Sequence, residues 1–174
     1  FLPVLTQLWE NPSASVGVLY LSPLKALIND QFERLEGLLE EAAIPVTKWH
    51  GDASAAAKKR VMKRPQGVIQ TTPESLESML MHNSSGAYRL FSDLRFIIID
   101  EMHYFMDNDR GLQLLCLLER LARLIGYHPR RIGLSATLGD CTSAVQWLNT
   151  DSGRDCIVPK CNEKGPSWGI SVGF

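Results

Sequence analysis

Two short stretches carry residue types that can do chemistry together. In FIIIDEMHYF, Phe96 to Phe105, four apolar residues run into adjacent carboxylates, Asp100 and Glu101, with His103 two positions on. Such a pair has two readings. It can cap a following helix, where carboxylates suit the positive end of the backbone dipole. It can also hold a hard divalent cation through one carboxylate while the other orients and deprotonates a water. About thirty-five positions later, Ser135-Ala136-Thr137 in IGLSATLGD supplies small hydroxyls that can exchange hydrogen bonds with those carboxylates.

The elements that must position these residues alternate along the chain. VGVLYLS, PVTKWH, GVIQTT, LRFIIID and RRIGLSAT read as five buried strands. Between them lie helical patterns. FLPVLTQLWE reads as the inside of a helix, and after Pro23 the residues Leu24, Leu27, Ile28, Leu35 and Leu39 recur at helical steps. A basic, alanine-rich helix covers Ala53 to Arg64, another starts at Pro73, and Leu112, Leu115, Leu118 and Leu121 mark a leucine-rich one. NSSG, Asn83 to Gly86, reads as a loop, and Ser143 to Leu148 as a last short helix. Strands separated by helices predict an α/β fold, a parallel sheet flanked by helices on both faces. Ligands of such sheets bind beyond the carboxyl ends of the strands, where Asp100 and Glu101 stand.

Bulk composition narrows the classes further. A length of 174 residues with 45% hydrophobic content supports one core, and a net charge of −1 leaves any nucleic-acid contact to local patches. No apolar run is long enough to span a bilayer, so a membrane partner is not expected. The four cysteines, Cys116, Cys141, Cys156 and Cys161, lack zinc-site spacing and read as reduced thiols of a cytoplasmic protein. The opening residue, Phe1, reads as part of a longer chain.

Four stretches occur in an order that carries a resemblance. They are Ser22-Pro23-Leu24-Lys25-Ala26-Leu27 continuing to Gln31, Thr71-Thr72-Pro73-Glu74-Ser75-Leu76, Asp100-Glu101-Met102-His103, and Ser135-Ala136-Thr137. In these the chain resembles the superfamily-2 helicases of the DEAD/DEAH type, as their motifs Ia, Ib, II and III. SPLKALINDQ and WHGD are most similar to the Lhr-like branch, and the likeness covers Val16 to Asp140. It implies the first RecA-like domain of a P-loop NTPase. Asp100 would hold the magnesium ion of MgATP and Glu101 would activate the attacking water. His103, Ser135, Ala136 and Thr137 would couple hydrolysis to movement between two RecA-like domains. Ser22, Pro23, Leu24, Lys25, Ala26, Gly51, Thr71, Thr72 and Pro73 would touch the phosphodiester backbone of a nucleic acid, DNA favoured over RNA. Free amides and small hydroxyls at loop and helix starts suit phosphate oxygens and carry no base information.

Departures from the pattern matter equally. The chain has no GxxxxGK[ST] phosphate loop. The resemblance therefore implies an incomplete domain that begins after that loop and its strand, and that does not turn over ATP alone. Loss of that strand from the sheet would leave a neighbouring backbone edge unpaired. Residues 1–150 are read as a partial helicase ATP-binding domain and 151–174 as a linker towards a second RecA-like domain. One rival is a non-catalytic nucleic-acid-binding scaffold; another is a metal-dependent hydrolase using Asp100, Glu101 and His103, for which further ligands are missing. Lys58, Lys59, Arg60, Lys63 and Arg64 read as a solvated face, with a nucleic-acid backbone as the alternative. His50 reads as structural, Trp49, Tyr104 and Phe105 as core, and Arg130 and Arg131 as surface charges.

Overall fold

The computed structural model describes residues 2–137 and 141–159. Five strands, β1 (Val16–Leu21), β2 (Val46–Trp49), β3 (Gly67–Thr71), β4 (Phe96–Ile99) and β5 (Arg130–Gly133), form one sheet in the order β2-β3-β1-β4-β5. Every pairing is parallel. All five carboxyl ends therefore meet at one edge. Among the described residues seven α-helices lie between and around the strands, α4 and α5 in succession: α1 (Leu2–Glu10), α2 (Lys25–Glu41), α3 (Ala55–Lys63), α4 (Pro73–His82), α5 (Ser84–Phe91), α6 (Asp109–Ile125) and α7 (Cys141–Asn149).

The two-residue period of a strand splits the interior in two. Leu19, Leu21, Ile69, Ile97 and Ile99 join a core with residues of α3 to α7, whereas Val18, Tyr20, Val68, Phe96 and Ile98 join a second core with α1 and α2. Val16 falls on the first side out of parity, because the β1–β3 register shifts between Val16 and Val18. Central β1 is fully buried, while β5 is exposed or half-buried throughout. Among the described residues the sheet's free edges are β2 and β5. Strands β1, β3 and β4 are paired on both sides.

Several expectations need correction. NSSG is not a loop. The Asn83 side chain accepts the Gly86 N–H at 3.0 Å, so the stretch caps and starts α5. RRIGLSAT is a strand only to Gly133, and Ser135 to Thr137 lie beyond it. In α6 the buried stripe is Leu114, Leu117, Leu118, Leu121 and Ile125, whereas Leu112 is 62% exposed. Steps of three drift around a helix of 3.6 residues per turn, so the series opens off the buried face at Leu112 and reaches it at Leu118 and Leu121. Leu24 sits at the N-cap of α2, ahead of the helical stripe, and is exposed. Tyr104 is 51% exposed rather than core, while Phe105 is buried. Arg131 is half-buried and donates to the carbonyls of Leu148 (3.3 Å) and Thr150 (2.7 Å) at the end of α7, so it is not a plain surface charge. The proposed linker falls mostly on residues 160–174, which with Cys161 lie outside the described residues.

Candidate active site

The edge is built first from backbone. Asp100 N–H donates to Leu21 O at 2.8 Å, Ser22 N–H to Thr71 O at 3.1 Å, and Leu134 N–H to Ile99 O at 2.9 Å. These bonds continue the sheet one residue past each strand, so the loops start from a fixed platform. After Asp100 the chain turns sharply. Glu101 adopts left-handed backbone angles, φ 48° and ψ 47°, and leads into a 3-10 turn, Met102–Tyr104. Met102 N–H donates across to Leu134 O at 2.8 Å. A side chain at Gly133 would press on the Met102 sulfur, 2.5 Å from its first carbon, so glycine there lets the turn settle onto β5.

This turn brings the predicted catalytic side chains together. Asp100 has both oxygens engaged: Oδ1 accepts the Glu101 N–H at 3.0 Å and Oδ2 accepts the hydroxyl of Tyr20. Burial pushes the Tyr20 pKa far up, helped by the hydrogen bond to Asp100 and the charges of Asp100 and Glu101, so the phenol stays a donor. His103 Nδ1 lies 2.9 Å from Ser135 Oγ and 3.2 Å from Glu101 Oε2. No hydrogen-bond donor among the described residues is aligned on Glu101 Oε2. Motifs II and III therefore touch through one imidazole and one hydroxyl. Ala136 and Thr137 are exposed beside them.

The donor set suits magnesium held with a nucleotide. No group of three or more His, Cys, Asp or Glu residues that could cage a metal occurs among the described residues. One oriented carboxylate is what a cation that keeps its waters and takes phosphate oxygens requires. The metal-dependent hydrolase reading finds no further ligands.

The remaining site residues line the same edge over β1, β3 and β2. Leu24, Lys25, Ala26 and Gly51 are exposed, and Lys25 Nζ pairs with Asp52 at 2.7 Å. That contact holds the Asp52 carboxyl below its usual range. Ser22, Pro23, Thr71, Thr72 and Pro73 are buried. The Thr71 hydroxyl donates to Trp49 O at 2.6 Å, and the Thr72 hydroxyl oxygen caps α4 by accepting the Ser75 N–H at 3.4 Å. These buried residues shape the ridge on which the exposed ones stand. His50 is buried here, as a structural residue would be. On α3, Lys59, Arg60 and Lys63 are exposed, as is Arg64 at its end, while Lys58 donates to His50 O at 2.6 Å. Sequence reasoning missed Tyr20. Its signal was a lone hydroxyl inside an apolar strand, two positions before Ser22.

Geometry, fold and motif order converge on one class, and residues 1–144 match the DEAD/DEAH box helicase family. The chain belongs to that family, as an Lhr-like first RecA-like domain. It is 37% identical over 153 residues to the ATP-dependent helicase Lhr-Core of Methanocaldococcus jannaschii, covering 81% of this chain and 18% of that protein. It is 34% identical over 146 residues to the ATP-dependent DNA helicase Hel308 of Methanococcus vannielii, covering 82% and 18%. Among solved structures it is similar to the Mycobacterium smegmatis helicase Lhr bound to ssDNA and AMP-PNP, with a TM-score of 0.74 and 31% identity over 86% of this chain and 20% of that one. The chain thus spans about a fifth of the length of these relatives.

Proposed function

We propose that this chain is a motor segment of an ATP-dependent helicase, coupling MgATP hydrolysis to movement along a nucleic-acid strand. The observation that carries the reading is the contact between Glu101, His103 and Ser135 beside an oriented Asp100. In this reading Asp100 holds the hydrated magnesium ion of MgATP, the Tyr20 and Glu101 donors fixing its direction. When bound, that ion neutralises charge on the terminal phosphates during transfer to water. The Glu101 carboxylate orients the water and takes its proton. His103 reports the state of Glu101 to Ser135, and through Ala136 and Thr137 to a second RecA-like domain. Lys25, Leu24, Ala26 and Gly51 meet the strand backbone on a ridge built by Ser22, Pro23, Thr71, Thr72 and Pro73.

Residues 1–150 form the helicase ATP-binding portion in this proposal, and 151–174 lead towards the second RecA-like domain. DNA is the favoured strand, supported by a relative named as a DNA helicase and another seen with ssDNA. Free thiols at Cys116, Cys141 and Cys156 fit a cytoplasmic setting. A scaffold that had lost hydrolysis has no need of a carboxylate and imidazole poised in this way.

The test is Glu101→Gln in the complete helicase. Loss of the base lowers ATP hydrolysis at least about a hundredfold. Binding of a fluorescent ATP analogue should stay within about twofold, because the amide keeps the shape of the side chain. Hydrolysis that survives the change overturns the assignment of Glu101.

A further inference from the structure

Arg110 touches three separate parts of the candidate site from one position. It is the second residue of α6, the helix that follows the Asp100–His103 turn. Its Nε donates to Glu74 Oε1 at 2.8 Å, and its Nη2 lies 2.7 Å from the same oxygen. Nη2 also donates to Pro23 O at 2.7 Å. The guanidinium lies over the Phe105 ring, 5.5 Å from its centroid. Glu74 is in the first turn of α4, directly after Thr72 and Pro73, and Pro23 sits between Ser22 and Leu24. Phe105 is two residues beyond His103 and fully buried. One side chain thus ties both strand-facing loops to the segment that carries the hydrolytic groups.

The tie is reinforced. Gln113, almost one turn along α6, donates to Glu77 on α4 at 2.7 Å, so two polar links run in parallel between these helices. Gly111 brings the start of α6 against the Phe105 carbonyl, and Asn108 caps the helix by accepting the Gly111 N–H at 3.0 Å. A displacement of the Pro23 or Glu74 loop on meeting a strand has a stiff route to the turn holding Glu101 and His103. Arginine is suited to this. Its planar fork can serve a carboxylate and a carbonyl at once, which a lysine ammonium cannot do with the same geometry.

We propose that Arg110 is a positioning residue that couples strand binding to ATP hydrolysis, by holding Pro23 and Glu74 to the helix that continues from the Asp100–His103 turn. The proposal rests on the helicase reading above. It concerns transmission, not chemistry: Arg110 is placed in contact with neither the nucleotide nor the water.

The experiment measures ATP hydrolysis by the complete helicase with and without single-stranded DNA, for the wild type, Arg110→Ala, Arg110→Lys, Glu74→Gln and the Arg110→Ala, Glu74→Gln double variant. The expected result for Arg110→Ala is a stimulation factor reduced about fivefold, within the range of allosteric coupling, with the unstimulated rate within about twofold of wild type. Arg110→Lys fails to restore it. Glu74→Gln moves it the same way by less, and Arg110→Ala combined with Glu74→Gln is less than additive. A purely structural ion pair instead lowers the melting temperature and scales both rates together, and that outcome overturns the proposal. So does an Arg110→Ala protein stimulated as strongly as wild type. If Arg110→Ala does not fold, Glu74→Gln decides alone, and an unchanged stimulation factor there overturns it. A wild-type helicase whose hydrolysis ignores the strand sinks the functional reading itself, a result distinct from either.

Discussion

Tyr20 shows how a single side chain sets the direction of another. Its ring is buried against α1 and α2, and only its hydroxyl reaches the edge, where Asp100 accepts it. Tyr20→Phe keeps the ring and removes the donor, so Asp100 is held by the Glu101 N–H alone. Groups that orient a metal-holding carboxylate typically change metal affinity by ten- to a hundredfold when lost. The magnesium concentration for half-maximal binding of a fluorescent ATP analogue should therefore rise about tenfold in the complete helicase. An unchanged magnesium dependence removes Tyr20 from the site. Its neighbour Glu101 occupies left-handed backbone space, which costs a side-chain-bearing residue about 1–2 kcal/mol. That turn aims the carboxylate at His103 and lets the Met102 N–H donate to Leu134 O, one residue past β5.

At the scale of elements, α6 is the part whose placement is least tolerant of change. A β-carbon on Gly111 would lie 1.5 Å from the Phe105 carbonyl oxygen, a backbone atom that cannot swing aside. Gly111→Ala should push α6 off the turn and destabilise the fold by about 2 kcal/mol or more, read as a lower denaturation midpoint. An unchanged midpoint means that the helix start accommodates a methyl group. The same elements show what the sequence reveals and what it withholds. Runs such as FIII and VGVLYL announce strands because buried parallel strands are apolar on both faces, and the carboxylates that follow must then stand at the ligand edge. Helix faces were less legible. Leu112 and Leu114 stand on opposite faces of α6, and a stretch with leucine at 112, 114, 115, 117, 118 and 121 offers more than one apolar stripe, so which one meets the core is settled by packing. NSSG has loop composition, yet Asn83 ends α4 and caps α5 at once, and its role depends on both helices packing. Tyr20 and Arg110 escaped for one reason: their partners lie 80 and 87 residues away, so only the sheet order brings them together.

For the whole molecule, stability should depend on pH through His50. Both of its ring nitrogens are buried without a hydrogen-bond partner among the described residues. Burial pushes its pKa below the usual 6.5; Asp52 opposes this, and Lys25, Lys48 and Lys58 add to it. The unfolded chain therefore binds a proton as pH falls through 6.5 while the folded chain does not, and stability drops in that window and is level above it. Thermal melts between about pH 7.5 and 5.5 should fall more steeply for wild type than for His50→Gln. Equal slopes would mean that another group sets the dependence.

The two cores on either side of the sheet have a further consequence. Tyr20 hangs from the α1–α2 side, whereas α4 and α6, which carry Glu74 and Arg110, pack on the other. Lesions distant from one another and without shared partners act independently. On the helicase reading, a lesion at Tyr20 should thus starve the site of divalent ion and one at Arg110 leave it deaf to the polynucleotide, the two divided by the plane of the strands.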